Sequence, residues 1–125
     1  MKAFSISMLV IALAGVANAQ PQASGEIGYS RGSLGYDALM AGDNSRAIVQ
    51  IMANEKPSRN DPARLINLGQ AYARTGRIAE AARLFQAAIQ SRQQIDLILS
   101  DGSVVNSREA AKQALAKLQS RVASR

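Results

Sequence analysis

Residues 61–91, DPARLINLGQAYARTGRIAEAARLFQAAIQS, decide how the rest of the chain is read. Leu65, Leu68, Gly69 and Tyr72 recur at i, i+3, i+4 and i+7, and Ile78, Ala81, Phe85 and Ala88 follow the same helical spacing after Gly76. The pattern predicts two short helices folded back on each other as an antiparallel hairpin. Asp61 before Pro62 is a helix start: the carboxylate can cap free N–H groups, and proline at the first helical position gives up no hydrogen bond. Gly76 is the stop, because glycine enters the left-handed conformation without a Cβ penalty, and Arg74 in the last turn suits the negative end of the dipole. Gly69 and Ala81 are small where the helices must cross closely, while Tyr72 and Phe85 supply the bulk beside the crossing.

An earlier stretch repeats the pattern at an offset of 34 residues. Leu34 falls over Leu68, Gly35 over Gly69, Gly42 over Gly76, Ala47 over Ala81 and Ile51 over Phe85. This copy is worn: Ala38 stands where Tyr72 does, and Gly28 and Gly32 occupy what should be the beginning of its first helix. Each glycine costs a helix interior about 1 kcal/mol, so that helix is expected to start near Ser33 or Leu34. Its second helix is expected from about Ser45 to Asn54, with Ala47, Ile48 and Ile51 turned inward and Pro57 marking its end.

The order Asn67-Leu68-Gly69, Ala71-Tyr72, Gly76, Glu80-Ala81, Phe85 and Ala88, together with the 34-residue period, resembles the tetratricopeptide repeat. The resemblance covers residues 33–91, a degenerate repeat over 33–57 and a well-matched one over 61–91. It implies a scaffold that binds another protein or peptide in a groove lined by the first helices. The positions that would reach ligand are similar to Ala63, Ile66, Asn67, Gln70, Ala73 and Arg74 here. Asn67 matches an asparagine that some members use to grip a terminal carboxylate, but Gly32 and Tyr36 stand where that clamp's basic partners would be. Leu65, Leu68, Gly69, Tyr72, Gly76, Ala81, Phe85 and Ala88 are the expected repeat-packing positions.

The amino terminus, MKAFSISMLVIALAGVANA, has one early lysine, an apolar run from about Met8 to Val16 and Ala17-Asn18-Ala19. It reads as a bacterial secretory signal peptide over 1–19, since the run is shorter than the roughly 20 residues of a membrane span. The expected mature chain is exported, periplasmic or secreted. Loss of Lys2, the leader's one charged residue, takes the formal charge from +6 to +5. Residues 20–32, polar and glycine-rich, read as a flexible lead-in. With no cysteine in the chain, packing alone must hold a single small domain together.

After Ser91 the period changes. Residues 95–99, then Asp101-Gly102, then Val104-Val105 read as two strands around a tight type I′ turn; a competing reading extends the preceding helix through Leu99. Asn106 or Ser107 then caps a last helix with a stripe of Ala111, Ala114, Leu115, Leu118 and Val122, and Glu109 at the third position of a capping box. The expected fold is therefore mainly α: about two tetratricopeptide-like helical hairpins at 33–91, then a β-hairpin and a capping helix at 92–125.

The absence of histidine and cysteine removes the commonest general base, the usual zinc ligands and the thiol nucleophile. Asp37, Asp43, Glu80, Asp96, Asp101 and Glu109 fall at caps, turns or helix faces where solvated roles are the default, and a pairing of Ser107 with Lys112 has a plainer reading as a cap and a surface lysine. The arginines at 46, 64, 74, 77, 83 and 92 are scattered without interleaved aromatics, which argues against nucleic acid. The expectation is a non-enzyme with no cofactor and no metal, binding an unidentified protein or peptide. Self-association as an envelope subunit is the alternative, and a basic polyanion binder a lesser one.

Overall fold

A computed structural model describes residues 12–13, 28–54, 56–99 and 101–124. The elements run β1 (Ala12–Leu13), α1 (Tyr36–Met40), α2 (Asn44–Ala53), α3 (Pro62–Arg74), α4 (Ile78–Gln90), β2 (Asp96–Ile98), β3 (Val104–Asn106) and α5 (Ser107–Ala123), so the fold is mainly helical with a small antiparallel sheet. The proposed leader cleavage and most of the lead-in lie outside the described residues.

The α3–α4 hairpin is built as its sequence dictates. Asp61 Oδ1 accepts from the amides of Ala63 at 2.9 Å and Arg64 at 3.2 Å, which caps α3. At the other end Gly76 has φ +80°, and the amide of Arg77 donates back to Tyr72 O at 2.9 Å, closing the helix with a Schellman turn. Phe85 is buried against Gly69, where a Cβ would lie 2.6 Å from its ring. Leu65, Leu68, Ala81 and Ala88 are buried as well, and Tyr72 is half-buried with the Arg77 guanidinium 4.5 Å from its ring centre.

The same local bonding recurs 34 residues earlier. The amide of Asp43 donates to Ala38 O at 2.9 Å and that of Gly42 to Leu39 O at 3.1 Å, matching Arg77 to Tyr72 and Gly76 to Ala73. A Cβ on Gly35 would meet the Ile51 side chain at 3.1 Å, as one on Gly69 would meet Phe85. Ala47 and Ile51 are buried and Ile48 is half-buried, while Asp43 caps α2 by accepting from the Arg46 amide at 3.1 Å. The first helix is shorter than expected, five residues from Tyr36, because Gly35 adopts φ +63° and the chain before it is turned. The end of the lead-in is also anchored rather than free: Tyr29 Oη donates to Asp61 Oδ2 at 2.8 Å.

Residues 92–106 form the β-hairpin, not a longer helix, but its turn differs from the expected type I′. Leu99 N–H donates to Ser103 O and Gly102 N–H to Leu99 O, with Gly102 at φ +84°. Three residues thus separate the last pair, and the left-handed glycine makes this the bulged class of hairpin. β2 is central, pairing β3 on one side and β1 on the other in the order β1-β2-β3. Asn106 Oδ1 caps α5 by accepting from the Arg108 amide at 3.0 Å, whereas Glu109 pairs with Lys112 at 3.0 Å instead of closing a capping box. α5 packs on α4 and more lightly on α3. Ala110, Ala111, Ala114 and Leu118 bury with Phe85, Ile66, Leu34 and Leu97 in one core; Val122 of the expected stripe is exposed.

Candidate functional site

The residues read as a partner-binding groove lie on α3, the central helix, and most are covered. Ala63, Ile66 and Ala73 are buried in the core shared with Leu34, Leu97 and Ala110. Asn67 is fully buried and its Nδ2 donates to Leu34 O at 3.0 Å. Arg74 is half-buried; its Nη1 donates to Leu39 O at 3.3 Å and Asn44 Oδ1 at 3.4 Å, and burial pulls the guanidinium below its usual value. Gln70 is half-buried. The open groove expected over Ile66 and Asn67 is therefore occupied by the chain itself, by the segment around Leu34 and by α5. The physical reason is local: the glycine-broken start of α1 leaves the Leu34 carbonyl outside a helix, and a buried carbonyl must find a donor. Asn67 supplies it.

The arginines are less exposed than their scatter suggested. Arg64 is buried with Nη2 donating to Ile51 O at 3.2 Å, and Arg108 donates from Nε to Ile89 O at 3.0 Å and from Nη2 to Ser91 O at 3.1 Å. Arg46 and Arg77 pair with Asp43 and Glu80 at the surface. Three arginines thus serve as internal ties between elements, counting Arg64, Arg74 and Arg108.

The carboxylates hold structural posts. Asp61 has the fullest role, joining the α3 cap to Tyr29, whose phenol is pushed above its ordinary pKa by burial and then by the Asp61 charge and hydrogen bond. Glu80 is held below the usual carboxylate range by a hydrogen bond to its own backbone and then by Arg77. Asp101 is lowered by the hydroxyl and then the amide of Ser103 in the hairpin turn. Ser107 Oγ is buried and accepts from the Ile95 amide at 3.1 Å, so it closes the base of the hairpin, while Lys112 faces Glu109. Among the described residues no group of three or more acidic side chains converges as a metal site would require. No described helix is long and apolar enough to cross a membrane.

One apolar surface that remains open to a partner was not singled out from sequence. Val49, 67% exposed, and Met52, 56% exposed, lie three residues apart on one face of α2, and Met40 ends α1 in the open as well. Their periodicity is visible in the sequence, but helical spacing alone does not say which stripe of α2 the neighbouring α3 covers. Comparison with known proteins adds no assignment: no protein-family model, no curated protein and no solved structure matches the chain.

Proposed function

We propose that the chain is an exported, non-enzymatic scaffold of two tetratricopeptide-like repeats that binds another protein, and that it does so through the exposed apolar face of α2 rather than a groove over α3. The observation that carries the repeat reading is the 34-residue recurrence of the closing turns at Gly42 and Gly76 and of the close contacts Gly35–Ile51 and Gly69–Phe85. In this reading α5 takes the place of the next repeat's first helix and acts as the cap. The leader pattern in residues 1–19 supports export. Side chains such as Val49 stay apolar in water at no benefit to folding, and a cluster of them fits a docking face.

The test is capture from an envelope extract with the native chain and Val49→Asp, beside sedimentation of both. Partners retained by the native chain and lost by the variant support the α2 face. If both retain the same partners the α2 face is wrong. If the native chain is an oligomer that Val49→Asp dissociates, with no heterologous partner, the chain is a self-associating envelope subunit. Capture that collapses in moderate salt for both points to a polyanion.

A further inference from the structure

The two edges of β2 have partners of different standing. Leu99 N–H donates to Ser103 O and Ser107 N–H donates to Ile95 O, so the backbone groups of Ile95, Leu97 and Leu99 face β3. Backbone polar groups alternate sides along an antiparallel strand, so those of Asp96 and Ile98 face the opposite edge. There β1 lies antiparallel, with Ala12 opposite Ile98 and Leu13 opposite Leu97. β1 falls within residues 1–19, the stretch read as a leader that export removes. Its loss takes away the strand that faces the Ile98 N–H and C=O. β2 itself stays fixed by other means: Leu97 is fully buried in the core with Phe85 and Ala110, and the Ile95 amide donates to Ser107 Oγ at 3.1 Å. An open edge on a strand held in this way is a template for another chain.

We propose that the exported chain takes an extended, uncharged apolar segment of a partner protein as an antiparallel strand on the β2 edge, in the place that β1 holds before its removal. The seat defines the occupant. Main-chain bonding to Ile98 requires extended backbone without proline at the paired residue. A residue opposite Leu97 shares its face of the sheet, which is the buried one, so it must be apolar. The chain's own Ala12-Leu13, without charge or proline, is the sequence this edge already accepts. The inference rests on removal of the leader and not on the α2 face, since Val49 and Met52 lie outside the sheet.

Amide exchange followed by nuclear magnetic resonance tests it on two forms of the protein. One is the full chain, and the other is the chain recovered from the envelope of a bacterium expressing it, whose mass shows whether residues 1–19 are gone. The probe is a peptide of residues 8–16 with two lysines added at each end for solubility. The Ile98 amide should exchange slowly in the full chain, about tenfold or more faster in the shortened one, and slowly again once the peptide is added. The Leu97 amide, which faces β3, should stay slow throughout, and so separates an open edge from a melted hairpin. The same peptide with proline in place of Ala12 and Leu13 should leave Ile98 fast. An envelope chain that keeps residues 1–19 would overturn the leader reading and the vacated edge together. If the shortened chain's Ile98 stays fast with the peptide, or is slowed equally by the proline peptide, the strand site alone is wrong. Fast Ile98 exchange in the full chain would contradict the β1 pairing. Slow Ile98 exchange in the shortened chain without peptide, with a dimer in sedimentation, would give the edge to a second copy and overturn the partner strand.

Discussion

The two hairpins, α1–α2 and α3–α4, share a pattern but not a means of support. In the second, Phe85 fills the space beside Gly69, both helices have 13 residues, and α5 covers the outer side. In the first, Ile51 stands in for the phenylalanine, α1 has five residues, and Val49 and Met52 remain in water. A five-residue helix is far below the length at which helices hold themselves. The weaker hairpin and the segment before it are instead fastened by polar groups of the stronger one: Asp61 takes Tyr29, Asn67 takes the Leu34 carbonyl, Arg64 takes the Ile51 carbonyl and Arg74 takes the Leu39 carbonyl. Where a helical hairpin has little apolar bulk, neighbouring side chains can hold it with hydrogen bonds instead.

The largest effect should come from removing the cap. Ending the chain after Ser91 strips Leu97, Ala110, Ala111, Ala114 and Leu118 from the core around Phe85, and thermal unfolding followed by circular dichroism should lose its cooperative transition. An equally sharp and high transition would mean that the two helical hairpins suffice. Phe85→Ala should cost about 3–5 kcal/mol in urea unfolding and Ile51→Ala about 2 kcal/mol, because the weaker hairpin has less surrounding structure to leave a cavity in. Equal costs would erase the distinction between the hairpins.

Glycine substitutions sharpen the comparison at smaller scale. Gly69→Ala should cost about 1–3 kcal/mol by driving a methyl into the Phe85 ring, and Phe85→Leu should recover part of that loss in the double variant. Gly35→Ala should cost a similar amount for another reason, the left-handed backbone at φ +63° added to contact with Ile51, so that shrinking Ile51 restores less. Smallest is Tyr29→Phe, about 1 kcal/mol at neutral pH. Since the Tyr29 pKa is raised on folding, its contribution is complete below the ordinary tyrosine value of about 10 and declines as pH rises through the folded value. The difference between native and Tyr29→Phe stability should therefore shrink in alkaline urea titrations; a difference constant above pH 10 would contradict the Tyr29–Asp61 bond.

The second hairpin was readable because each local signal agreed: a cap at Asp61, proline behind it, a glycine stop and large-to-small pairing at 3.6-residue spacing. The β-hairpin and last helix were readable from Asp101-Gly102 and Asn106. What sequence could not convey was which polar residues turn inward. Asn67, Arg64 and Arg74 are types found mostly at surfaces, and their burial depends on carbonyls of residues 13 to 35 positions away that no periodicity reveals. The one available signal was the pair Gly28 and Gly32, which pointed to a shortened first helix and so to backbone carbonyls left outside it. For the same reason the expected groove closed: Asn67 and Arg74, set aside for a partner, are engaged by residues 34–44, and Ala63, Ile66 and Ala73 are buried in the core.

Hydrogen exchange of the native chain and Asn67→Ala tests this fastening most directly. If Asn67 holds the first hairpin onto the second, amides of α2 should lose protection by about tenfold or more in the variant while those of α4 keep theirs. Unchanged protection across α2, or an equal loss in α2 and α4, would contradict the account.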